Sequence, residues 1–270
     1  MSRLLFAPLI VVAVVGCSQT KAPPAAEHSG HEAGRHAEHD SGHAAMLMVQ
    51  TEPAAPVAGK PVALKMMIHQ ADGAMVHEFE VEHEKLVHLI IVRDGLDEFA
   101  HVHPEVDKEG NLTITHTFPK AGKYRLFADH KPKGQSASVA RATVDVSGDA
   151  TPPPKLVVNA PGKVVAEGFA AEIEVKNAKA GEESEIRFQL RNEAGEPSDN
   201  IQPYLGARGH LVVISADGTQ YVHAHPMDEK TAANEVVFMS HFPSAGTYKG
   251  WGQFRIANEV RTVPFVVQIP

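Results

Sequence analysis

The chain has 270 residues, and 43% of them are apolar, which is enough for one large domain or two ordinary domains with packed cores. Its formal net charge of −8 argues against a nucleic-acid partner, because phosphate binding requires a basic surface. Seventeen histidines and a single cysteine are the unusual counts, and they favour metal chemistry without disulfide bonds.

The first 17 residues have the pattern of a bacterial lipoprotein signal peptide. An apolar run from Leu4 to Val15 follows one early arginine and is too short for a comfortable transmembrane helix. The segment ending at Cys17 resembles a lipobox, in which the cysteine is lipidated and becomes the new N-terminus. An ordinary secretion signal or a short membrane anchor is the alternative. Because Ser18 and not an aspartate follows, we expect a lipid anchor in the outer membrane, facing the periplasm.

Residues 18–45 contain almost nothing apolar to bury, which predicts a disordered, flexible tether. A histidine-rich tract of this kind is typical of metal binding, although a solvated spacer whose histidines only tune charge is the alternative. Such a tract has no preorganised geometry, so we expect loose metal capture. The histidines concerned are His28, His31, His36, His39 and His43.

From Met46 onward the pattern predicts β-structure. Short apolar stretches are broken by Asp-Gly turn signals, and no long helical periodicity is present. A proline-rich segment, 149–155, predicts a semi-rigid linker. It separates a first β-rich unit, 46–148, from a second one, 156–270.

The two units are related by an internal repeat. The triad His88, His101 and His103 recurs at a constant offset of 122 as His210, His223 and His225. "FPKAGKY" at 118–124 recurs as "FPSAGTY" at 242–248. Ala-Gly-x-Tyr entering an apolar strand resembles the tyrosine corner of immunoglobulin-like sandwiches. We therefore predict an all-β chain with two tandem immunoglobulin-like or cupredoxin-like β-sandwich domains after the tether.

Each triad lies on a predicted β-hairpin, and the loop length decides where its histidines point. A four-residue loop from Arg93 to Leu96 puts His88 opposite His101, with His103 on the same face. In the second copy a four-residue loop, 215–218, gives the same arrangement. A two-residue turn at 217–218 would pair position 210 with position 225 instead. Either even-numbered loop keeps the three histidines of a copy together.

The histidines share their hairpin face with apolar side chains in both copies. An apolar neighbourhood lowers the pKa of histidine, and the neutral imidazole is the form that binds metal. Imidazole-only sites suit copper(II), zinc or nickel. The apolar residues are Ile90, Val92 and Phe99 in the first copy and Val212, Ile214 and Tyr221 in the second.

We therefore expect metal ligands in both triads. Asp129 or His130 is a candidate for a fourth position in the first copy, but consecutive strand residues face opposite ways, so at most one of them serves. The alternative is that the histidines are structural and bonded to loop carbonyls.

The segment from His88 to Gly134 resembles the YtkA-like and cupredoxin-like β-sandwich domains of bacterial envelope proteins. The resemblance covers residues 55–147 and 160–269 and rests on His-x-His-Pro followed by Phe-Pro-x-x-Gly-x-Tyr. It implies an envelope location and a link to copper or other heavy-metal handling. The chain departs from true cupredoxins because it has no cysteine ligand, which excludes a blue-copper His₂Cys site.

Three functions follow from these patterns. The first is an envelope lipoprotein that binds copper, or zinc, for storage, delivery or tolerance, with an envelope metal-transport protein as partner. The second is a non-metal interaction module with structural histidines. The third is a zinc hydrolase, since three histidines and an open position match a catalytic site in ligand count. No fixed His-Glu motif marks a general base, so we predict that the chain is not an enzyme.

Overall fold

The computed structural model describes residues 36–37, 45–149, 151–159, 162–166, 169–192, 194–224, 226–227 and 231–270. The regular structure in these ranges is entirely β-strand, so no helix there is long and apolar enough to span a bilayer. The predicted signal peptide, Cys17 and most of the predicted tether lie outside the described residues. The strands are β1 (His36–Ala37), β2 (Met46–Glu52), β3 (Pro61–His69), β4 (Phe79–Glu80), β5 (Val87–Arg93), β6 (Phe99–Val102), β7 (Glu105–Val106), β8 (Leu112–Thr117), β9 (Gly122–Pro132), β10 (Ser138–Val146), β11 (Gly162–Ala166), β12 (Phe169–Lys176), β13 (Glu183–Arg191), β14 (Ile201–Gln202), β15 (His210–Ser215), β16 (Tyr221–Ala224), β17 (Glu235–His241), β18 (Gly246–Ile256) and β19 (Glu259–Ile269).

The strands form two tandem β-sandwich domains, as predicted. In the first domain, strands β6-β5-β9-β10 face strands β2-β3-β8-β7, and a parallel pairing of β10 with β2 joins the two layers. In the second domain, strands β16-β15-β18-β19 face strands β11-β12-β13-β17. Each domain has its own buried apolar core, centred on residues such as Leu64 and Leu126 in the first and Phe188 and Phe238 in the second.

Tyrosine corners close both sandwiches, as the repeated Ala-Gly-x-Tyr predicted. Tyr124 Oη donates to the carbonyl of Lys120 at 2.9 Å. Tyr248 Oη donates to the carbonyl of Ser244 at 2.8 Å. Both tyrosines are buried. Each bond therefore provides a partner for a hydroxyl whose burial without a hydrogen bond would cost free energy.

Two residues of the predicted tether are among the described residues. His36–Ala37 form β1, which pairs antiparallel with the outer edge of β16, with His36 opposite His223. The physical reason is that β16 is otherwise an edge strand, whose unpaired backbone groups accept a further strand.

The hairpin of the first domain has a register different from the predicted one. Ile90 pairs with His101, which places His88 opposite position 103. The loop is Asp94–Asp97, because Gly95 and Leu96 both adopt left-handed conformations, with φ of 95° and 59°. In the second domain, Val212 pairs with His223, which is the register that the alternative turn predicts. Both shifts are even, so the predicted face is kept.

The two domains pack through the hairpin faces that carry the histidines. All seven residues of β5 and all six of β15 are buried, so each strand is covered on both faces. Two stacked aromatic pairs cross the interface, Phe99 on Trp251 at 4.6 Å and Phe127 on Tyr221 at 4.8 Å. The pairs are related by the repeat, because Phe99 corresponds to Tyr221 and Phe127 to Trp251. The interface is therefore built about a pseudo-two-fold axis, like an isologous dimer contact.

Candidate metal centre

Packing of the domains brings the described histidines of the two triads together in one place. The first domain supplies residues from β5, from β6 and from just after β6, and the second supplies residues from β15 and β16. His225 lies outside the described residues. We call the five described side chains the histidine cluster: His88, His101, His103, His210 and His223.

The first-domain triad converges as predicted, although the register differs. Nδ1 of His88 lies 3.0 Å from Nε2 of His101 and 3.2 Å from Nε2 of His103. The three residues offer one ligand atom each within 4.8 Å of one another, an arrangement that could hold a metal ion.

The second domain adds two rings at similar spacing, which the sequence did not reveal. His210 lies 6.0 Å from His88 and 5.9 Å from His101 between ring centroids. His223 lies 5.5 Å and 5.6 Å from the same two rings. The remaining distances are 5.2 Å between His88 and His101 and 5.7 Å between His210 and His223. All six separations are nearly equal, so these four rings form a near-regular tetrahedron.

Backbone carbonyls orient His88 and His210. Nε2 of His88 donates to the carbonyl of Glu82 at 3.1 Å, and Nε2 of His210 donates to the carbonyl of Tyr204 at 2.9 Å. A carbonyl only accepts, so Nε2 carries the proton in both rings and Nδ1 carries the lone pair. Outward bonds of this kind are how proteins orient histidine ligands.

Side chains from the opposite domain orient the other two rings. Nδ1 of His101 donates to Oε1 of Gln253 at 2.6 Å, and Nδ1 of His223 donates to Oδ2 of Asp129 at 2.7 Å. Asp129 and Gln253 occupy corresponding positions on β9 and β18, opposite His88 and His210. Each domain therefore holds a histidine of its neighbour, which couples ring orientation to domain packing.

Burial keeps these imidazoles uncharged. Burial first, and the neighbouring imidazoles with it, lower the pKa of His88, His101 and His103 to about 4. Burial, with His101 next to it, lowers the pKa of His210 to about 2. Neutral imidazole at physiological pH is the metal-binding form.

The structure separates the two predicted candidates for a fourth ligand. Asp129 lies on the cluster face, where its carboxylate is hydrogen-bonded to His223. His130 faces the other side of β9, with Nδ1 on the carbonyl of Ala128 and its ring against Phe79. It does not join the cluster, because consecutive strand residues point to opposite faces.

The loosely binding tether histidines fall mostly outside the described residues. His28, His31, His39 and His43 are not among them, and for His36 only the backbone pairing is described. Metal capture by this tract stays a prediction.

Sequence reasoning missed two parts of the centre. Gln253 was passed over, although it stands where the repeat places Asp129. The meeting of the two triads was also missed. Its signal was "HLIIV" in the first copy and "HLVVI" in the second, apolar runs without alternation that are typical of strands covered on both faces.

Comparison with known proteins gives a family but no functional description. No curated protein is significantly similar in sequence. Among solved structures, FdeC, an Escherichia coli adhesin, is 14% identical with a TM-score of 0.28 and covers 83% of this chain and 64% of its own. Invasin, a bacterial integrin-binding protein, is 13% identical with a TM-score of 0.24, covering 82% and 38%. A Ca²⁺-stabilised adhesin from an ice-binding Antarctic bacterium is 8% identical with a TM-score of 0.26, covering 88% and 49%.

This chain thus spans at most 64% of the length of these three structures, and the TM-scores are low. These similarities therefore carry no functional assignment. Family membership rests on the repeats themselves. Both match one family model, at residues 43–148 and 163–270, over more than three quarters of the chain. The chain therefore belongs to the family described as domain of unknown function DUF8832, of which it carries two copies.

Proposed function

We propose that this protein binds a transition-metal ion, copper or zinc, in the histidine cluster and does so without catalysing a reaction. One observation carries the proposal. His88 and His101 each use one ring N–H for an outward hydrogen bond, and their other nitrogens face each other at 3.0 Å.

The hydrogen-bond partners decide what these inner nitrogens are. The Gln253 amide nitrogen lies 3.3 Å from Thr262 Oγ1, where it donates, so Oε1 is the atom that accepts from His101. His101 Nε2 then carries a lone pair, as does Nδ1 of His88. Two facing lone pairs repel each other, and a cation between them removes the repulsion.

The distances fit such a cation. Zinc binds imidazole nitrogen at 2.0–2.1 Å, so two ligands are about 2.9 Å apart at a right angle and about 3.3 Å apart at the tetrahedral angle. The contact of His88 Nδ1 with His101 Nε2, at 3.0 Å, falls within this range. The donors are thus already placed to within a few tenths of an ångström, and binding requires little rearrangement.

A second candidate function also has an observation in its favour. His103 Nε2 lies within hydrogen-bonding distance of His88 Nδ1, so it can donate a proton there without any metal. The cluster would then be a hydrogen-bonded lock between two immunoglobulin-like domains that present a surface to a protein partner.

The N-terminal sequence supports a proposal for the cellular role. The lipobox at Cys17 supports anchoring in the envelope, on the outer membrane facing the periplasm. The histidine-rich segment after it would gather ions loosely near the cluster. We propose storage, delivery or tolerance, with an envelope metal-transport protein as partner, in keeping with the YtkA-like resemblance.

Titration of the full chain in detergent against a chromophoric chelator tests the proposal for zinc and for copper. We expect one tight site that survives replacement of the tether histidines by alanine. His88→Gln with His101→Gln should weaken it at least 100-fold, and His77→Gln should not change it, because His77 is exposed and bonded to the Glu109 carbonyl. Binding no tighter than that of a histidine-rich peptide would instead support the metal-free lock.

A further inference from the structure

Resting on the proposed function, we infer that one ion is held on the pseudo-two-fold axis between the domains. His88 and His101 supply half of its ligands, and His210 and His223 supply the other half. Neither domain then forms the site alone, and the bound ion joins the two domains.

The tetrahedron of rings carries this inference. A metal–nitrogen distance of 2.0–2.1 Å puts each ring centroid about 3.2 Å from the ion. Two rings at the tetrahedral angle are then about 5.2 Å apart, and two rings on one ion cannot exceed about 6.4 Å. The six observed separations run from 5.2 to 6.0 Å. The spacing of the four ring centroids is therefore close to that of four imidazoles on one ion.

The donor atoms obey the same pseudo-symmetry. The outward bonds occupy Nε2 of the related pair His88 and His210, and Nδ1 of the related pair His101 and His223. The ligands are then Nδ1 from the first pair and Nε2 from the second. Among these, Nδ1 of His210 and Nε2 of His223 are buried from solvent, as an enclosed ion requires.

His103 has a different place in this arrangement. It approaches His88 from one side, only half-buried, with its Nε2 3.2 Å from His88 Nδ1. We assign to it the N–H that this nitrogen accepts when no metal is bound. It is therefore a positioning residue and not one of the four ligands.

The geometry selects the ion. Four imidazole nitrogens at tetrahedral angles match zinc, which is almost always tetrahedral in closed protein sites. Copper(II) prefers square-planar or tetragonal surroundings. At nitrogen sites Cu²⁺ usually binds more tightly than Zn²⁺. We therefore expect this site to favour Zn²⁺ over Cu²⁺ more than that usual affinity order predicts.

The test uses Zn²⁺ for affinity and Co²⁺ as its visible-absorbing substitute in the full chain. His210→Gln and His223→Gln should each weaken Zn²⁺ binding at least 100-fold and abolish the strong tetrahedral Co²⁺ absorption. His77→Gln, at an exposed histidine outside the cluster, is the control and should leave Zn²⁺ affinity unchanged. X-ray absorption of the zinc-loaded wild type should count four imidazoles, a readout that holds even if a variant fails to fold.

Two results would separate this inference from the proposal beneath it. Wild-type affinity in His210→Gln and His223→Gln, with a strong loss in His103→Gln, would overturn the shared site and leave a three-ligand site in the first domain. Absence of tight binding by the wild-type chain would overturn both.

We also propose a second, independent site for Cu⁺ on the outer face of the first sandwich. Met46 on β2 is directly opposite His69 on β3, and His69 is directly opposite Met75 on its other side. Directly opposed residues share a face with Cβ atoms about 4.5–5.5 Å apart. The three side chains therefore form a row, methionine, histidine, methionine, across the sheet.

Exposure and ring orientation support a ligand role for this row. Met46 and its neighbour on the same face, Met48, are 57% and 47% exposed, so they are not core filling. Nδ1 of His69 donates to the carbonyl of Gly73 at 3.1 Å, which leaves the lone pair on Nε2. Thioether sulfur selects Cu⁺ over harder ions.

Competition of the full chain with a Cu⁺-specific chelator under reducing conditions tests this site, with Ag⁺ as a redox-inert check. Met46→Leu with Met75→Leu should weaken Cu⁺ binding at least 10-fold, whereas Met239→Leu in the second domain should not. Leucine keeps the size of the side chain, so folding is expected to be retained. Wild-type Cu⁺ affinity in the double variant would overturn the site.

Discussion

Asp129→Asn tests whether the second domain contributes a ligand, because the side chain of Asp129 makes its hydrogen bond to the cluster with His223. The carboxylate is 4% exposed and accepts from Nδ1 of His223, itself 1% exposed, at 2.7 Å. An asparagine of the same size can still accept this bond, but it carries no charge. A charge-assisted hydrogen bond contributes about 1.5–3 kcal/mol and a neutral one about 0.5–1.5 kcal/mol. The metal-free protein should therefore lose about 1 kcal/mol of stability.

The effect on metal binding should be larger than this. Loss of a partner that orients a histidine ligand weakens metal binding by about 10- to 100-fold, because it also makes the ligand less basic. That range corresponds to about 1.4–2.7 kcal/mol. Zinc competition titrations and urea unfolding of the same preparations measure the two quantities separately. Asp145→Asn, an exposed aspartate on β10, is the matched control.

The two measurements together can refute the reasoning. A stability loss with unchanged zinc affinity would show that Asp129 is only part of the domain interface and that His223 does not bind the ion. An increase in zinc affinity would show that the carboxylate holds His223 away from it.

Three further outcomes follow from the same contacts. The folded-state pKa of His88 is about 4 and that of His210 about 2, both below the unfolded value near 6.5, so the unfolded chain gains protons first as pH falls. Metal-free stability should therefore be full above about pH 6.5 and decline toward pH 4 in urea titrations, more steeply than in His88→Gln. Trp251→Ala removes the ring stacked on Phe99 and should cost about 3–5 kcal/mol, with faster proteolysis of the interdomain linker at 149–155. Tyr124→Phe should cost about 1 kcal/mol in thermal unfolding, because the Lys120 carbonyl loses its donor.

The fold could be predicted because the sequence features that indicate it act between residues close together in the chain. Tyr124 and Tyr248 follow the same Ala-Gly-x pattern, and each makes the corner bond within four residues. The shared face of the first triad was also predictable, since only the parity of the hairpin loop matters. The exact register was not, because it depends on left-handed backbone at Leu96, which a leucine rarely adopts.

The centre itself could not be derived from either repeat alone. Its rings come from strands separated by more than 100 residues in the chain, and nothing local fixes how two sandwiches pack. The apolar run of β5 indicated that a second surface covers it, but not which surface. Only the packed pair shows that Asp129 reaches His223 and that Gln253 reaches His101.

The repeat explains why the centre is symmetric, and one difference between the copies shows where the symmetry ends. In a self-complementary interface each contact occurs twice, so a single hairpin face supplies both halves of a four-histidine set. The outer partners differ, because Asp129 carries a charge where Gln253 carries none. A divalent ion with four neutral imidazoles then has a buried charge of +2 that Asp129 reduces to +1. A buried charge is tolerated better when an opposite charge is close, so this one substitution between the copies favours the loaded state. Gln253→Glu would complete the neutralisation, and we expect it to tighten zinc binding while destabilising the metal-free protein, which zinc titration and urea unfolding can measure together.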